Sequence, residues 1–473
     1  MNSNPYIRFV LKKSFPFLLK IIFFITLINY FSFGQKPFLK PKKGNSDSTA
    51  PKLTPLQKNN KTYESVEDAL KDADELITLN LSGKRVSEIS SSIIHFKKLE
   101  YLDLSSNLIT RIPPEIAQLS NLRFLVLSNN KITEIPASIA SLQRLYMLDL
   151  TNNRIVHIHQ KISELKLLQL LKLGRNFLDS LPTGFSRLPM LYDLNLDENN
   201  FKSIPQQVIW CHQLRTLSMN KNQIEKLSPG IGEMQNLAKL SLVDNKITEL
   251  PKEIGNLKLL TQLELQKNKI TALPAEFVQL QELNILILSD NKISSFPKNM
   301  YRLAKLEFLD ISNNKNENLP LDWIKFPKLE TLNLNNNKIK SLPDNFTELN
   351  SLKSLLLKDN LISIFPKEIT YLNKLEMLEL SNNKLLSIPG EIGNMSELKT
   401  LKLDNNNLFE LPVNLANLKK IQIIMLNFNK ISQLPQFLSQ LHSLKSLQLR
   451  DNPIPDSEKE KIKFMLPKVK LMF

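Results

Sequence analysis

Histidine and cysteine are the residues of this chain best suited to metal binding or nucleophilic chemistry, and both are scarce. His157 and His159 are close enough to share a metal ion, but the sequence around them offers no third ligand. Cys211 stands where equivalent segments of the chain have leucine, so we interpret it as a buried, unreactive thiol. A single cysteine also excludes an internal disulfide. These residues predict neither a metal site nor a cysteine nucleophile.

Carboxylates offer one further candidate for metal chemistry. Asp193, Asp197 and Glu198 are close together in the sequence and provide the oxygen ligands that calcium prefers. An enzyme, however, needs such groups to converge in a pocket with a base, a nucleophile or a cofactor. The sequence shows no such combination. We therefore predict a protein without catalytic residues, cofactor or bound metal.

A repeat of 23 residues must position all of these side chains. Leucine or isoleucine returns at this interval from Leu76 to Leu444 without an insertion, which gives sixteen full repeats over residues 76–443 and a partial repeat after them. The consensus is L-x-x-L-x-L-x-x-N-x-I-x-x-[IL]-P-x-x-I-x-x-L-x-x, and its first leucine is position 1. One repeat cannot bury its apolar face alone, so neighbouring repeats are predicted to stack.

The consensus positions divide the repeat into an inner and an outer part. Leucines at positions 1, 4 and 6 point inward from a short strand, and asparagine fills position 9 in sixteen registers, where its amide can donate to and accept from backbone groups. Proline at position 15 of thirteen repeats favours an irregular outer segment. The pattern resembles the leucine-rich repeat family over residues 76–473. This resemblance implies an α/β solenoid, a horseshoe with a concave parallel β-sheet and an irregular or 3₁₀ convex side.

Both ends of the stack depart from the consensus, as open ends require. Residues 65–75 are predicted to form an N-terminal cap helix, because Ser65 begins a capping-box pattern. Residues 444–473 are predicted to hold a terminal partial repeat and a C-terminal cap, with a charged helix over residues 456–465 and then a closing strand. Without cysteine pairs the sequence cannot form the disulfide caps of extracellular animal members, and it is similar instead to secreted bacterial leucine-rich-repeat proteins.

The N-terminal 64 residues predict export. Residues 1–34 carry four basic and no acidic side chains, and their apolar run ends at a small-residue site typical of signal-peptide cleavage after Gly34. An uncleaved anchor using residues 15–33 is the alternative. Residues 35–64, with seven lysines and two acidic residues, are predicted to be a basic flexible linker, either a solvated spacer or in weak contact with an anionic envelope. A bacterial secreted or cell-envelope location is therefore expected.

The formal net charge of +16 does not predict a nucleic-acid partner. Residues 1–34 contribute +4 and residues 35–64 contribute +5, which leaves +7 over the repeats. The strand positions expected to face solvent mix both signs, whereas a phosphate-binding surface needs one dominant sign. These charged residues include Lys172, Lys239, Lys402, Asp103, Asp149, Asp310 and Glu379.

Apolar side chains at positions 3 and 5 are the remaining candidates for function, because these positions are expected to face solvent. One ladder lies in repeats 2 to 5 and is rimmed by charges, as at protein interfaces; a second cluster lies in repeats 10 and 11, and a third contains Ile423 and Met425. Sideways packing between neighbouring strands is the alternative explanation. The predicted partner-binding residues are Tyr101, Phe124, Val126, Met147, Leu170, Ile285, Ile287 and Phe308.

These observations together predict a non-enzymatic, exported module that binds a protein on its concave face. The resemblance to secreted bacterial adhesin-type repeats implies a host-surface protein as one partner class. The alternative is a structural or regulatory cell-envelope protein that binds the bacterium's own components. The identity of the partner and the oligomeric state are left open.

Overall fold

The computed structural model of the protein describes residues 62–317 and 326–473. The predicted signal peptide, the alternative anchor and nearly all of the predicted linker lie outside these residues, so the hypotheses about them stay predictions. The described residues all belong to one structural unit of the chain.

Strands of three residues at positions 3 to 5 of successive repeats form a parallel sheet, which has 18 strands in the described residues. Each strand pairs with the equivalent strand of the next repeat, as Thr78 does with Tyr101. The middle residue of each triplet points inward and the outer two remain on the solvent side. The strands are Thr78–Asn80, Tyr101–Asp103, Phe124–Val126, Met147–Asp149, Leu170–Lys172, Asp193–Asn195, Thr216–Ser218, Lys239–Ser241, Gln262–Glu264, Ile285–Ile287, Phe308–Asp310, Thr331–Asn333, Ser354–Leu356, Met377–Glu379, Thr400–Lys402, Ile423–Met425, Ser446–Gln448 and Lys470–Met472.

The outer side of the stack consists mainly of single 3₁₀ turns, and most of them begin after the proline at position 15. Two further elements interrupt this series, the α-helix Gln206–Ile209 and a parallel pair of two-residue strands, Glu134–Ile135 and His157–Ile158. The 3₁₀ helices are Leu70–Asp72, Ser91–His95, Pro114–Gln118, Ala137–Ser141, Gln160–Glu164, Thr183–Arg187, Pro229–Glu233, Lys252–Asn256, Ala275–Gln279, Met300–Arg302, Asp344–Glu348, Lys367–Tyr371, Gly390–Asn394, Val413–Asn417 and Gln436–Gln440. The predicted solenoid, with a parallel sheet inside and 3₁₀ turns outside, is confirmed.

The ends of the stack carry the other helices. At the N-terminal end the α-helix Val66–Ala69 is capped by the Ser65 side chain, which accepts a hydrogen bond from the Asp68 backbone N–H at 3.0 Å. At the C-terminal end the α-helix Asp456–Met465 buries Ile462 against the last repeat. The strand Lys470–Met472 then pairs with Ser446–Gln448, so the edge of the sheet moves to the last residues of the chain.

The interior is built from the repeated leucine and asparagine columns. Leu242, at position 6, is fully buried, as are its equivalents in the other described repeats. The side chain of Asn245, at position 9, donates to the backbone carbonyls of Met219 and Leu242 at 2.9 and 3.1 Å and accepts from the Ile224 N–H at 3.0 Å. The same three bonds recur around most of the asparagine column, and they satisfy the backbone groups of the turn that leaves each strand.

One residue breaks the interior pattern. Asn316 stands at position 11, where other repeats have an aliphatic residue or phenylalanine, and it is fully buried. Its Nδ2 donates to Asn337 Oδ1 at 3.0 Å, whereas its Oδ1 accepts no hydrogen bond from the described residues. Among the described residues, the amide therefore has a partner for its nitrogen and none for its oxygen.

Position 8 of each repeat adopts the left-handed conformation, with φ between 50° and 57° at the non-glycine residues. Asparagine and aspartate occupy most of these positions, because their short polar side chains tolerate this conformation better than other side chains do. Phe428 is the one aromatic residue at position 8, with φ of 55°. A bulky residue in this region of the backbone map is strained, so Phe428 stands out from its column.

Candidate functional site

The solvent side of the sheet presents positions 2, 3, 5 and 7 of every repeat, and residues of neighbouring repeats lie about 4.8 Å apart on it. We call this surface the sheet face. Its largest apolar region lies in repeats 2 to 6 and is called the aromatic patch here. The aromatic patch consists of Tyr101, Phe124, Val126, Tyr146, Met147, Leu170 and Tyr192.

Aromatic rings hold the aromatic patch together. The rings of Tyr101 and Phe124 have centroids 6.2 Å apart, and those of Phe124 and Tyr146 are 5.6 Å apart, both in tilted arrangements. The guanidinium of Arg123 lies 5.8 Å from the centre of the Phe124 ring. Phe124 is consequently the most covered member, with 8% of its surface exposed.

Tyr146 and Tyr192 were not expected from the sequence, because they stand at position 2 and not at positions 3 or 5. Their hydroxyl oxygens lie 3.2 Å apart, although the two residues are separated by two full repeats. Both side chains therefore lean along the sheet face over the repeat between them. The signal that could have revealed them is the pair of tyrosines spaced by 46 residues in a column that otherwise carries mostly polar residues.

Charged groups border the aromatic patch. Lys172 Nζ lies 3.8 Å from Asp149 Oδ2, and both side chains are largely buried. Burial raises the pKa of the Asp193 carboxyl above its ordinary value, although the charges of Lys172 and Lys239 oppose that shift. Burial likewise lowers the pKa of Lys172. The charged groups of the border are thus partly desolvated in the unbound protein. This favours a partner that places a charge of opposite sign against each of them.

The other predicted residues lie in the second cluster, in repeats 10 and 11. Ile285 and Phe308 are directly paired across neighbouring strands and both are partly exposed. Ile287 lies beside them and is buried, with 7% of its surface exposed. The cluster is smaller than the aromatic patch and contains one aromatic ring. The structure therefore brings the predicted residues together in two separate groups on one face.

A polar network in repeats 6 to 9 lies between the two groups. Asp197 Oδ1 accepts hydrogen bonds from the Ser218 hydroxyl at 2.6 Å and from the Asn220 backbone N–H at 2.7 Å. The Ser241 hydroxyl lies 2.7 Å from both Asn220 Oδ1 and Glu264 Oε2, which extends the network by two repeats. These groups satisfy one another, whereas Gln266 Oε1 at position 7 of repeat 9 is buried without a hydrogen-bond partner in the described residues.

The residues considered for chemistry do not assemble into a site. His159 accepts a hydrogen bond from the Lys161 N–H at 3.2 Å, and His157 is exposed on the outer side. Cys211 is buried, and burial raises the pKa of its thiol to about 12, as expected for an unreactive cysteine. Glu198 pairs with Lys221 at 3.1 Å and not with a neighbouring carboxylate. Within residues 62–317 and 326–473, no three histidine, cysteine or acidic side chains cluster as metal ligands would.

The helices of the same part of the chain are short. Its longest α-helix, Asp456–Met465, has ten residues, and no helix there combines the length and apolarity needed to cross a bilayer.

The fold and its sheet face define a solenoid repeat protein with a long, rigid surface. The family model described as "Leucine rich repeat" matches residues 74–132, 143–201, 311–362, 327–385 and 396–454, and "Leucine-rich repeat region" matches residues 240–311. The chain therefore belongs to the leucine-rich repeat family. A comparison with curated proteins gave no significant match.

Solved structures with the same fold come from bacteria and plants. A leucine-rich-repeat protein of Leptospira interrogans is 30% identical with a TM-score of 0.59, and the match covers 87% of this chain and 100% of that one. The plant peptide hormone receptor RGFR1, in complex with RGF2, is 28% identical with a TM-score of 0.67 and coverages of 83% and 68%. The ectodomain of the Arabidopsis receptor kinase HAESA, with an IDA peptide hormone ligand, is 25% identical with a TM-score of 0.56 and coverages of 79% and 69%.

Proposed function

We propose that the protein is an exported, non-enzymatic binding module that captures a segment of another protein on the aromatic patch. The observation that carries this proposal is the concentration of seven aromatic and aliphatic side chains on a solvent-facing sheet, bordered by partly desolvated charges. Apolar centres with charged borders are typical of protein interfaces, and tyrosine is enriched among the residues that contribute most to binding. RGFR1 and HAESA were solved with peptide hormones, which supports a protein ligand here as well.

Rigidity of the solenoid favours this role. Every strand of the sheet is fixed by its neighbours, so the surface is ordered before a partner binds and little conformational entropy is lost on binding. The interior leucine and asparagine columns do not contact solvent, so residues on the sheet face can change without loss of the fold. Residues of the binding surface can therefore change without a change in the stability of the fold.

The test is a peptide-display selection against the protein, followed by affinity measurement of the selected peptides on variants. Met147→Asp is the informative variant, because Met147 is partly exposed at the centre of the aromatic patch, whereas Phe124 is too covered to separate binding from folding. We expect binding to weaken by about thirtyfold or more, as loss of an interface anchor worth about 2 kcal/mol implies.

Lys252→Asp, on the outer side, is the matched control and should leave affinity unchanged. Peptides that still bind Met147→Asp but are lost when Ile285 and Phe308 are both replaced by aspartate would move the proposal to the second cluster. Peptides that bind both variants unchanged would leave sideways packing as the role of these side chains.

Export is the second part of the proposal, and residues 1–34 support it through their basic start and apolar run. N-terminal sequencing of the mature protein should give Gln35 as the first residue, whereas an intact Met1 in membranes would indicate the uncleaved anchor. Protease added to intact cells distinguishes the two partner classes. Digestion favours an external partner such as a host-surface protein, and protection favours a component of the bacterium's own envelope.

A further inference from the structure

A concavity lies on the sheet face near the C-terminal end of the solenoid, and it shares no repeat with the aromatic patch. It spans repeats 13 to 16, has a volume of about 640 Å³, and opens where the strands turn into the segment at positions 7 and 8. Its lining includes Glu379, Ser381, Asp404, Met425 and Phe428. We call it the Ser381 pocket, after the small residue at its centre.

Two lysines of this region already have acidic partners. Lys402 Nζ lies 2.8 Å from Glu379 Oε2, with both side chains largely buried. Lys358 Nζ lies 3.7 Å from Oδ2 of Asp359, a residue outside the lining. Each positive charge is therefore balanced by a carboxylate of its own, and these four residues contribute no net charge.

Asp404 is the remaining charged residue of the lining, and it has no ion pair within the described part of the chain. Its Oδ1 accepts hydrogen bonds from the Asn427 backbone N–H at 2.8 Å and from Asn427 Nδ2 at 2.7 Å. No described residue donates a hydrogen bond to its Oδ2. Burial raises the pKa of this carboxyl above its ordinary value, although the hydrogen bonds from Asn427 and the charge of Lys402 oppose that shift. The lining therefore holds two lysines and two carboxylates, and Asp404 is the carboxylate among them that has no ion pair in the described residues.

The hydroxyl of Ser381 is a second polar group of the pocket that lacks a partner in the described part of the chain. It stands between Lys358 and Asp404 in the position 7 column, and all three residues line the pocket. Its side chain is 3% exposed, and its hydroxyl has no hydrogen-bond partner in the described residues. A buried hydroxyl without a partner costs free energy, and a ligand that donates to it or accepts from it recovers that cost.

Phe428 forms an exposed aromatic wall of the same pocket. Its side chain is 56% exposed, and its backbone has the left-handed conformation that disfavours large residues. Met425 lies beside it in the lining. The fold therefore holds an aromatic ring in solvent, at a strained position, next to a carboxylate that lacks a counter-ion.

We propose that the Ser381 pocket binds an arginine side chain of an extended polypeptide. A guanidinium supplies the missing positive charge to Asp404 Oδ2 and, as a planar group with five N–H donors, can also donate to the Ser381 hydroxyl. The flat faces of this cation stack on aromatic rings, which suits the exposed ring of Phe428. The apolar stem of arginine matches Met425.

A polypeptide fits this site better than free arginine, because the pocket opens beside an apolar strip on the same sheet. Leu356 is partly exposed there, and at position 3 the buried side chains of Met377 and Ile423 flank that of Thr400. Aliphatic residues flanking the arginine would pack on this strip. The proposal does not depend on the aromatic patch, since the two regions share no residue.

The test uses the peptide acetyl-Leu-Arg-Leu-amide with the intact protein and follows binding by saturation-transfer NMR. The comparison peptide carries citrulline, which has the shape of arginine without its charge. We expect the arginine peptide to bind at least tenfold more tightly. We also expect Asp404→Asn to abolish that preference, and asparagine occurs at the equivalent position of repeats 7, 12 and 16, so this variant is compatible with the fold.

Controls separate the possible sources of a signal. Asp244→Asn removes an exposed carboxylate elsewhere in the solenoid and should preserve the preference for arginine. The Met147→Asp variant should also preserve it, whatever its effect on the aromatic patch. Equal binding of the two peptides to the unmodified protein, or an undiminished preference in Asp404→Asn, would overturn the proposal. Free arginine that binds as tightly as the tripeptide would overturn the polypeptide as its source.

Discussion

The interior of the solenoid and its sheet face obey opposite rules, although they are the two sides of the same strands. At position 4 the residue is leucine in nearly every repeat, and Leu102, Leu125 and Leu148 are all fully buried. Position 3, one residue earlier, carries different residue types in different repeats, for example Tyr101 in one repeat and Asp193 in another. The stack requires identity on one side and permits variation on the other.

Hydrogen bonding shows the same contrast. The amide of Asn245 in the interior has partners for both its donor and its acceptor atoms, whereas the Ser381 hydroxyl and Asp404 Oδ2 on the sheet face have none in the described residues. Unmet polar groups are costly in a core and useful in a binding site, because a ligand can satisfy them. Stability and recognition therefore reside in different columns of one repeat.

Leu242→Ala is expected to have the largest effect on stability. Leu242 is fully buried between repeats, and its truncation leaves a cavity that the rigid stack cannot close, so the free energy of unfolding should fall by about 2 to 5 kcal/mol. Urea denaturation followed by circular dichroism measures the change. Lys239→Ala, at an exposed position of the same repeat, should change it by less than about 0.5 kcal/mol. Equal effects of the two changes would contradict the division between interior and face.

The interior could be predicted from the sequence because every inward residue recurs at a fixed interval of 23. The same regularity allowed the exposed ladder from Tyr101 to Leu170 to be recognised, since its members share one position. Tyr146 was missed because it stands at position 2, and only its spacing of 46 residues from Tyr192 marks it in the sequence. The pocket was missed because it depends on a hydroxyl without a partner at Ser381 and on the direction in which Phe428 points.

Asn316→Ile tests the one described exception to the interior rule. Isoleucine is the commonest residue at position 11, and the substitution removes a buried carbonyl oxygen that has no partner in the described residues. Asn337 Oδ1 keeps the bond that it accepts from the backbone N–H of residue 316. We expect the free energy of unfolding to rise by about 1 to 2 kcal/mol, measured by urea denaturation. A loss of stability would indicate that the Asn316 amide has a structural role that isoleucine cannot replace.

Phe428→Asn should change stability less than Leu242→Ala, and it tests stability and recognition at a single residue. Asparagine tolerates φ near 55° better than phenylalanine does, and it would extend a ladder in which Asn405 Nδ2 donates to Asn382 Oδ1 at 3.1 Å. The free energy of unfolding should therefore rise by about 1 kcal/mol. Loss of the ring should at the same time weaken binding of the arginine tripeptide about two- to fivefold, the size of an exposed cation–π contact.

The two measurements together decide what the strained ring does. A more stable protein with weaker binding means that Phe428 is kept at position 8 for recognition, at the expense of the fold. A more stable protein with unchanged binding would remove Phe428 from the Ser381 pocket and leave Asp404 and Ser381 as its recognition groups. Asp244→Asn replaces one residue that tolerates the left-handed conformation with another, so it should leave both stability and arginine binding nearly unchanged, and a gain in stability like that of Phe428→Asn would argue against relief of strain as its cause.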